Sequence, residues 1–258
     1  MIRIATKIAY QGDDFCGSQI QPGVRTVEGD ILQDIRKLCD LTDEGIDLRL
    51  ASRTDRNVNA LGNVAVFNSN IGDPLTLIKA LNAVSDGIFY RSFSLVDESF
   101  NPRHAESRTY DYIVPSEGLN VSDMRESAHL FLGEHDFVRF CKPDGKSTVL
   151  SLDDIEISTD GDLIIMRFVA RRYLWNMIRR ISAAVISVGR GDSNISDVED
   201  ALQGKNMTFG LARADALTLT DITYPDIDFE TAPCNTFDPR SKEKLFKNHL
   251  EKRFFESL

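Results

Sequence analysis

Apolar and polar residues alternate over residues 2–10, with Ile2, Ile4, Ile8 and Tyr10 in step, and this period of two predicts a first strand. The segment 11–19, with two glycines, reads as a loop. Thr26-Val27-Glu28-Gly29 then opens a helix whose inner face carries Ile31, Ile35 and Leu38 at helical spacing. Two short apolar runs, 48–51 and 64–67, read as buried strands, and the polar stretch from Arg53 to Asn63 reads as the loop between them. Asp73 suits an N-cap and Pro74 the first turn of a second helix, with Leu75, Ile78 and Leu81 facing inward. A further strand is predicted over 87–96. The resulting order, β-α-β-β-α-β, is the split unit of ferredoxin-like and RNA-recognition folds.

The second half repeats this theme in longer pieces. Alternation predicts a strand at 108–114, followed by a helix over 120–132 capped by Ser122. A turn at 133–137 leads into the run 138–141. Strands at 150–157 and 163–169 flank the turn Thr159-Asp160-Gly161-Asp162. The longest helical pattern runs over 173–188, with Ile178, Ile181, Val185 and Val188 in register, and Gly189 and Gly191 stop it. A short helix from Ser196 to Leu202, a last strand at 216–222 and a C-terminal helix over 242–255 complete the chain; the last carries Leu245, Leu250 and Phe254 on its apolar side. The best boundary falls near Asn101-Pro102, giving an N-terminal half of residues 1–101 and a C-terminal half of 102–258.

Composition narrows the class. The chain has 258 residues, 42% of them hydrophobic, enough for one large core or two smaller ones. No apolar run approaches a membrane span and no signal peptide is expected, so a cytoplasmic protein off the membrane is the default. Cys16, Cys39, Cys141 and Cys234 form no CxxC pair, and His104, His129, His135 and His249 show no ligand spacing, which argues against a zinc site. The net charge of -10 by itself argues against a nucleic-acid partner.

The distribution of charge changes that picture. Arg167, Arg171, Arg172, Arg179 and Arg180 crowd into one span, interleaved with Tyr173, Trp175 and Asn176. Arginine beside aromatic rings is the pairing that holds unstacked RNA. The plainer reading is a solvated helix face with Trp175 in the core. A second basic group, Arg103, Arg108 and the stretch 139–146, flanks predicted strands, and a cleft lined by both groups would attract RNA despite the total. Within the loop between the short strands, Asp55 has an arginine on either side, Arg53 and Arg56. In extended chain Arg53 and Asp55 point to the same side, where a guanidinium would steady a carboxylate and aim its oxygens. A surface ion pair is the ordinary alternative.

These residues resemble the tRNA pseudouridine synthase A family. Arg53-Thr54-Asp55, followed by Val58, Ala60-Leu61-Gly62 and Val64, is similar to the family's G-R-T-D-x-G-V-H-A-x-G-Q-V signature. Further blocks agree in order: residues 10–21 with Arg25-Thr26-Val27-Glu28-Gly29, residues 100–112, the turn Leu132-Gly133-Glu134-His135-Asp136-Phe137, and residues 174–191 with Met177 and Arg179. The form Ala51-Ser52-Arg53-Thr54-Asp55-Arg56 is similar to the archaeal branch. The chain departs from the family at Ser18, where an aromatic is usual, at Asn57 for a glycine, at Asn59 for a histidine or serine, and at Asn176 for a frequent histidine.

The resemblance implies an α+β fold. Two ferredoxin-like or RRM-like halves form one extended, mainly antiparallel mixed sheet, with helices on one face and an RNA-binding cleft on the other. It implies isomerisation of uridine to pseudouridine in the anticodon stem-loop of tRNA, at positions 38 to 40, by a homodimer. The reaction needs no metal, redox cofactor or nucleotide energy, so no cofactor is expected. Asp55 would be the catalytic carboxylate, as nucleophile or as the group that drives glycosidic cleavage. Tyr110 would stack on the uracil and take part in proton transfer. Arg179 would pair with Asp55 or hold a phosphate, and Arg53 would do either. The alternative is a non-catalytic RNA-binding protein of the same fold.

Overall fold

The computed structural model describes residues 1–232 and 239–255; Cys234 lies outside the described residues. The elements follow as β1 (Ile2–Tyr10), α1 (Val27–Leu38), α2 (Asp43–Ile46), β2 (Arg49–Leu50), β3 (Asn59–Ser69), α3 (Pro74–Val84) and β4 (Ile88–Leu95). The chain continues through β5 (Ser107–Pro115), α4 (Val121–His129), β6 (Gly133–Asp136), β7 (Val149–Leu152), β8 (Asp154–Asp160) and β9 (Leu163–Ala170). It closes with α5 (Met177–Gly189), α6 (Ile195–Leu202), β10 (Leu217–Thr223), β11 (Glu230–Thr231) and α7 (Pro239–Phe255).

One large mixed sheet runs β11-β4-β1-β3-β10-β5-β9-β8, with β2 also paired to β3. Its two parts have the same strand order. The group β4-β1-β3-β2 and the group β10-β5-β9-β8 each place their fourth strand beside the first and their second at the far edge. Helices α1 and α3 pack together in the first group, and α4 and α5 in the second. The caps are local in origin. The Thr26 hydroxyl accepts from the Gly29 amide at the start of α1, and the Asp73 carboxylate from the Thr76 amide at the start of α3.

The two groups meet on β3. Its outer edge is shared: β2 pairs with its second half (Arg49 with Val66, Leu50 with Ala65), and β10 pairs in parallel with its start (Thr218 with Asn59, Leu219 with Ala60). The backbones close tightly there, since a Cβ on Gly62 would lie 2.6 Å from the Thr220 carbonyl oxygen. Residues 52–58 leave the sheet where β2 stops and return where β10 docks. The loop carrying Asp55 is therefore mounted on the seam.

Several elements differ from the sequence expectation, each for a physical reason. β3 begins at Asn59 rather than in the apolar run, because β1 and β10 supply partners on both edges for its polar and small residues. The apolar stretch 150–157 is two strands in two sheets: β7 pairs with β6, while β8 pairs with β9 after the Asp153 amide has turned to the Val169 carbonyl at 2.9 Å. The expected turn at 133–137 is mostly strand β6, and Phe137–Phe140 is a 3-10 turn. Asn120, not Ser122, caps α4, its side chain accepting from the Ser122 and Asp123 amides. Helix α5 starts at Met177 because Asn176 sits in the left-handed region at φ 62. On α7, the apolar Leu245, Leu250 and Phe254 are exposed.

Candidate active site

The loop that carries Asp55 is gripped from below by small and polar residues. Gly17, at φ +92, brings Ser18 against it, and the Ser18 amide donates to the Thr54 carbonyl oxygen at 3.0 Å. The Ser18 hydroxyl accepts from the Thr54 amide at 2.9 Å. Ser18 is 1% exposed, so these bonds replace what an aromatic would provide by packing. The Thr54 hydroxyl lies 2.8 Å from the Tyr10 phenol, which also accepts from the Asn63 side-chain amide at 3.2 Å. Asn63 joins the loop's other strand as well, donating to the Ser52 carbonyl oxygen at 3.0 Å and accepting from the Ser52 amide at 3.2 Å.

A second set of contacts holds the loop's return. A Cβ on Gly12 would lie 2.3 Å from the Asn57 carbonyl carbon, so only glycine fits there. Asn57 takes φ 68, the left-handed conformation its side chain tolerates. Asn59 accepts from the Gly12 amide and donates to the Asp215 carbonyl oxygen, both at 2.9 Å, which ties three distant segments together. The departures at residues 18, 57 and 59 thus all have backbone work to do.

Asp55 itself stands clear of this packing, its side chain 41% exposed. Its nearest cation is Arg179, whose Nη1 lies 3.8 Å from Asp55 Oδ2. Arg179 is the less exposed partner at 16%, and it is fixed on both flanks. Its Nε donates to the Ala212 carbonyl oxygen at 2.8 Å, and its Nη1 to the Asn176 Oδ1 at 3.4 Å. Arg53, by contrast, is exposed and has no side-chain hydrogen bond or ion pair among the described residues. The guanidinium that approaches Asp55 comes from α5, not from two residues away in the loop.

Tyr110 lies on β5 and is 7% exposed. Burial pushes its phenol well above the ordinary range, and the nearby Tyr10 phenol and the Asp55 charge push the same way against Arg108. Its ring meets Tyr173 edge to face, with centroids 5.2 Å apart at 83°. Asp55 and Arg179 thus meet from a loop and a helix, while Tyr110 on β5 feels the Asp55 charge through its buried phenol.

Arg108 was expected among the basic groups facing RNA, and the structure corrects this. It is 8% exposed, and its guanidinium donates to Ser52 Oγ at 2.8 Å, the Ala51 carbonyl oxygen at 3.2 Å and the Arg103 carbonyl oxygen at 3.0 Å. A further bond reaches the Arg171 carbonyl oxygen. Arg108 is therefore a clamp between β5, the start of the Asp55 loop and the segment after β9. Its spacing two before Tyr110 puts both in one sheet row, a signal the sequence did contain. Arg167 is likewise engaged, with two bonds of 2.8 Å to Asp111 across the sheet. Arg139 holds the Gly204 carbonyl oxygen and the Asn206 side chain. Trp175 is not in the core: it is 48% exposed.

Residues 127–225 match a family model described as tRNA pseudouridine synthase. The whole chain is similar to the tRNA pseudouridine synthase A of Pyrococcus abyssi, at 38% identity over 264 residues, covering 100% of this chain and 95% of that protein. The Pyrococcus horikoshii protein of the same name is 36% identical over the same shares, 100% and 95%. That of Archaeoglobus fulgidus is 35% identical over 89% of this chain and 86% of its own length. Among solved structures, the archaeal box H/ACA sRNP Nop10-Cbf5 complex gives only a weak likeness, with TM-score 0.33 and 12% identity over 71% of this chain and 44% of that chain. At 38% identity along its entire length, the chain belongs to the tRNA pseudouridine synthase A family.

Proposed function

We propose that the protein isomerises uridine to pseudouridine in tRNA, within the anticodon stem-loop at positions 38 to 40, with Asp55 as the nucleophile. The observation that carries this reading is the approach of Asp55 to the fixed guanidinium of Arg179 beside the neutral phenol of Tyr110. The reaction breaks the bond from N1 of uracil to the ribose and makes one from C5. N1 gains a proton and C5 loses one, so the product has the substrate's formula and no co-reactant is consumed. The exposed carboxylate of Asp55 is open to a nucleotide turned out of the helix, while the backbone bonds at Thr54 and Val58 keep it from following the substrate. Turning the nucleotide out costs a few kcal/mol, which contacts along the seam must repay.

Arg179, committed to Ala212 and Asn176, meets the carboxylate in a fixed orientation, so little reorganisation is needed when its charge shifts to the sugar. Tyr110 stays protonated at any physiological pH, which suits it to be the floor under the uracil and a hydrogen-bond donor. Arg53, exposed on the same loop, is available to a phosphate or to the space the uridine leaves. In this reading the halves 1–101 and 102–258 form the two walls of the tRNA cleft. The working unit is a homodimer in the cytoplasm, and among the described residues no helix is long and apolar enough to cross a membrane. Incubation with an unmodified tRNA transcript, followed by chemical mapping of pseudouridine, tests the proposal. Product with the native protein and none with Asp55→Ala, tRNA binding being retained, is the expected pair. Equal product from both removes Asp55 from the chemistry, product at another nucleotide refutes the target, and a monomer by sedimentation refutes the dimer.

A further inference from the structure

Trp175 is the chain's single tryptophan and lies 48% exposed. Half-exposed indole is an expensive way to finish a surface, and here one face of the ring is already occupied by a cation. The Lys142 ammonium lies 3.9 Å from the ring centroid. The pairing is held by the backbone, because the Lys142 amide donates to the Trp175 carbonyl oxygen at 2.8 Å. The same two segments touch again at Arg172, whose Nη2 lies 3.4 Å from the Val149 carbonyl oxygen. Lys146, with a side chain 79% exposed, and Arg171 add positive charge to this patch, and Asp144 offsets part of it through its ion pair with Lys146. On a protein with net charge -10, a basic island around an open aromatic ring has a specific chemistry to offer.

Its position ties it to the active site. Trp175 directly precedes Asn176, whose left-handed backbone turns the chain into α5 and whose side chain receives Arg179. A ligand seated on Trp175 is therefore connected through one residue to the guanidinium that meets Asp55. We propose that Trp175 is a stacking platform for an unpaired base of the RNA substrate, with Lys142 leaving the ring to meet the adjoining phosphate. Both halves of the present cation–ring pair then gain a better partner: the indole a base and the ammonium a phosphate. This inference rests on the proposed action on tRNA and adds a second point of hold beside the reacting nucleotide.

Because the chain has one tryptophan, its emission reports the contact directly. Native protein is titrated with unmodified tRNA transcript while fluorescence, filter binding and pseudouridine formation are followed in parallel. Saturating tRNA is expected to quench the emission. Trp175→Ala is expected to raise KM for tRNA by roughly 10- to 100-fold, the usual worth of one stacked base, with kcat within about twofold, and Trp175→Phe to restore most of the loss. Lys142→Gln is expected to lower the salt dependence of binding by about one phosphate contact. Unchanged emission on a protein that filter binding shows to be saturated, or a native KM for Trp175→Ala, overturns the platform even if pseudouridine is made. Quenching by tRNA without any pseudouridine leaves the platform standing and overturns the activity instead.

Discussion

Arg179 lies 3.8 Å from Asp55 with its Nε already bound to the Ala212 carbonyl oxygen at 2.8 Å. At that separation, and with Asp55 41% exposed, the pair is a weak ion pair whose worth to stability is at most about 1 kcal/mol. Under the proposed function its value is orientation. Arg179→Ala is expected to lower kcat by about 100-fold, the scale for losing one fixed charged donor, and to lower Tm as the Ala212 carbonyl oxygen loses its donor. Arg179→Lys keeps the charge but not the fork that grips Ala212 and Asn176, so it is expected to recover only a small part of the rate. Steady-state kinetics on a tRNA transcript decides; native kcat in Arg179→Ala would place the helix outside the chemistry.

Ser18→Ala removes the acceptor of the Thr54 amide in a site that is 1% exposed. A buried amide left without a partner costs about 1–3 kcal/mol. The expected result is a lower Tm in calorimetry, together with a fall in kcat as the Asp55 loop loosens. A Tm equal to that of the native protein would mean that the loop does not depend on this clamp.

Gly12→Ala sets a methyl group where a Cβ is 2.3 Å from the Asn57 carbonyl carbon and 2.5 Å from the Val58 carbonyl oxygen. Both neighbours are backbone, so the loop must move. The expected cost is about 1–3 kcal/mol of stability. A shift of the carboxylate by about 1 Å lowers the rate by up to about 100-fold. Activity and Tm of this variant, measured side by side with Gly23→Ala as a control in open space, provide the check; Gly23 itself has φ +75, so the control carries only local backbone strain.

Arg108→Met is expected to be more damaging than Arg171→Met, although both remove one positive charge. Arg108 is buried and ties four segments, so its loss strands the carbonyl oxygens of Ala51, Arg103 and Arg171 and the Ser52 hydroxyl. Each charge-assisted bond of this kind is worth about 1.5–3 kcal/mol in favourable cases. Urea unfolding of the two variants, compared at equal m-value, reads the difference; similar midpoints would show that Arg108 is as dispensable as a surface arginine.

Alkaline pH acts on the buried phenols. Burial raises Tyr10, Tyr90, Tyr110 and Tyr173 above their ordinary value in the folded protein. Above about pH 10 the unfolded chain releases these protons while the folded one keeps them, so stability is present below that point and falls as pH rises. The slope is about 1.4 kcal/mol per pH unit for each phenol that stays protonated. Unfolding measured at pH 9 to 11 is expected to show this decline, accompanied by tyrosinate absorption that appears only on unfolding. Early titration in the native state would mean that the phenols are reached by solvent.

How far the residues announced this arrangement depends on whether a partner is local. Strand β1 and helices α1 and α3 follow from periodicity and caps that lie within the same segment, such as Thr26 and Asp73. The start of β3 was not legible, because the polar Asn59 and the small Ala60 gain their partners from Tyr10 on β1 and from β10 far along the chain. The site shows the same division. Asp55 stood out by its charged setting; its sequence neighbours offered only Arg53 and Arg56 as guanidinium, and Arg179, which the family resemblance put forward, arrives from α5. Arg108 read as a surface cation because nothing in the sequence discloses that carbonyl oxygens of two distant segments, and that of Arg103 nearby, converge on it. Ser18 gave only one hint, its place where an aromatic is usual.

The divided edge of β3 also bears on the order of events during synthesis. Its pairs along the edge shared with β10 wait for Thr218 and Leu219, and the carboxylate's cation waits for Arg179. A nascent chain that has left the ribosome only as far as β4 therefore carries Asp55 on a loop already held by Ser18, Tyr10 and Asn63 but still without its cation. Translation products cut short before α5 would hold Asp55 without Arg179, and under the proposed function such copies are expected to make no pseudouridine.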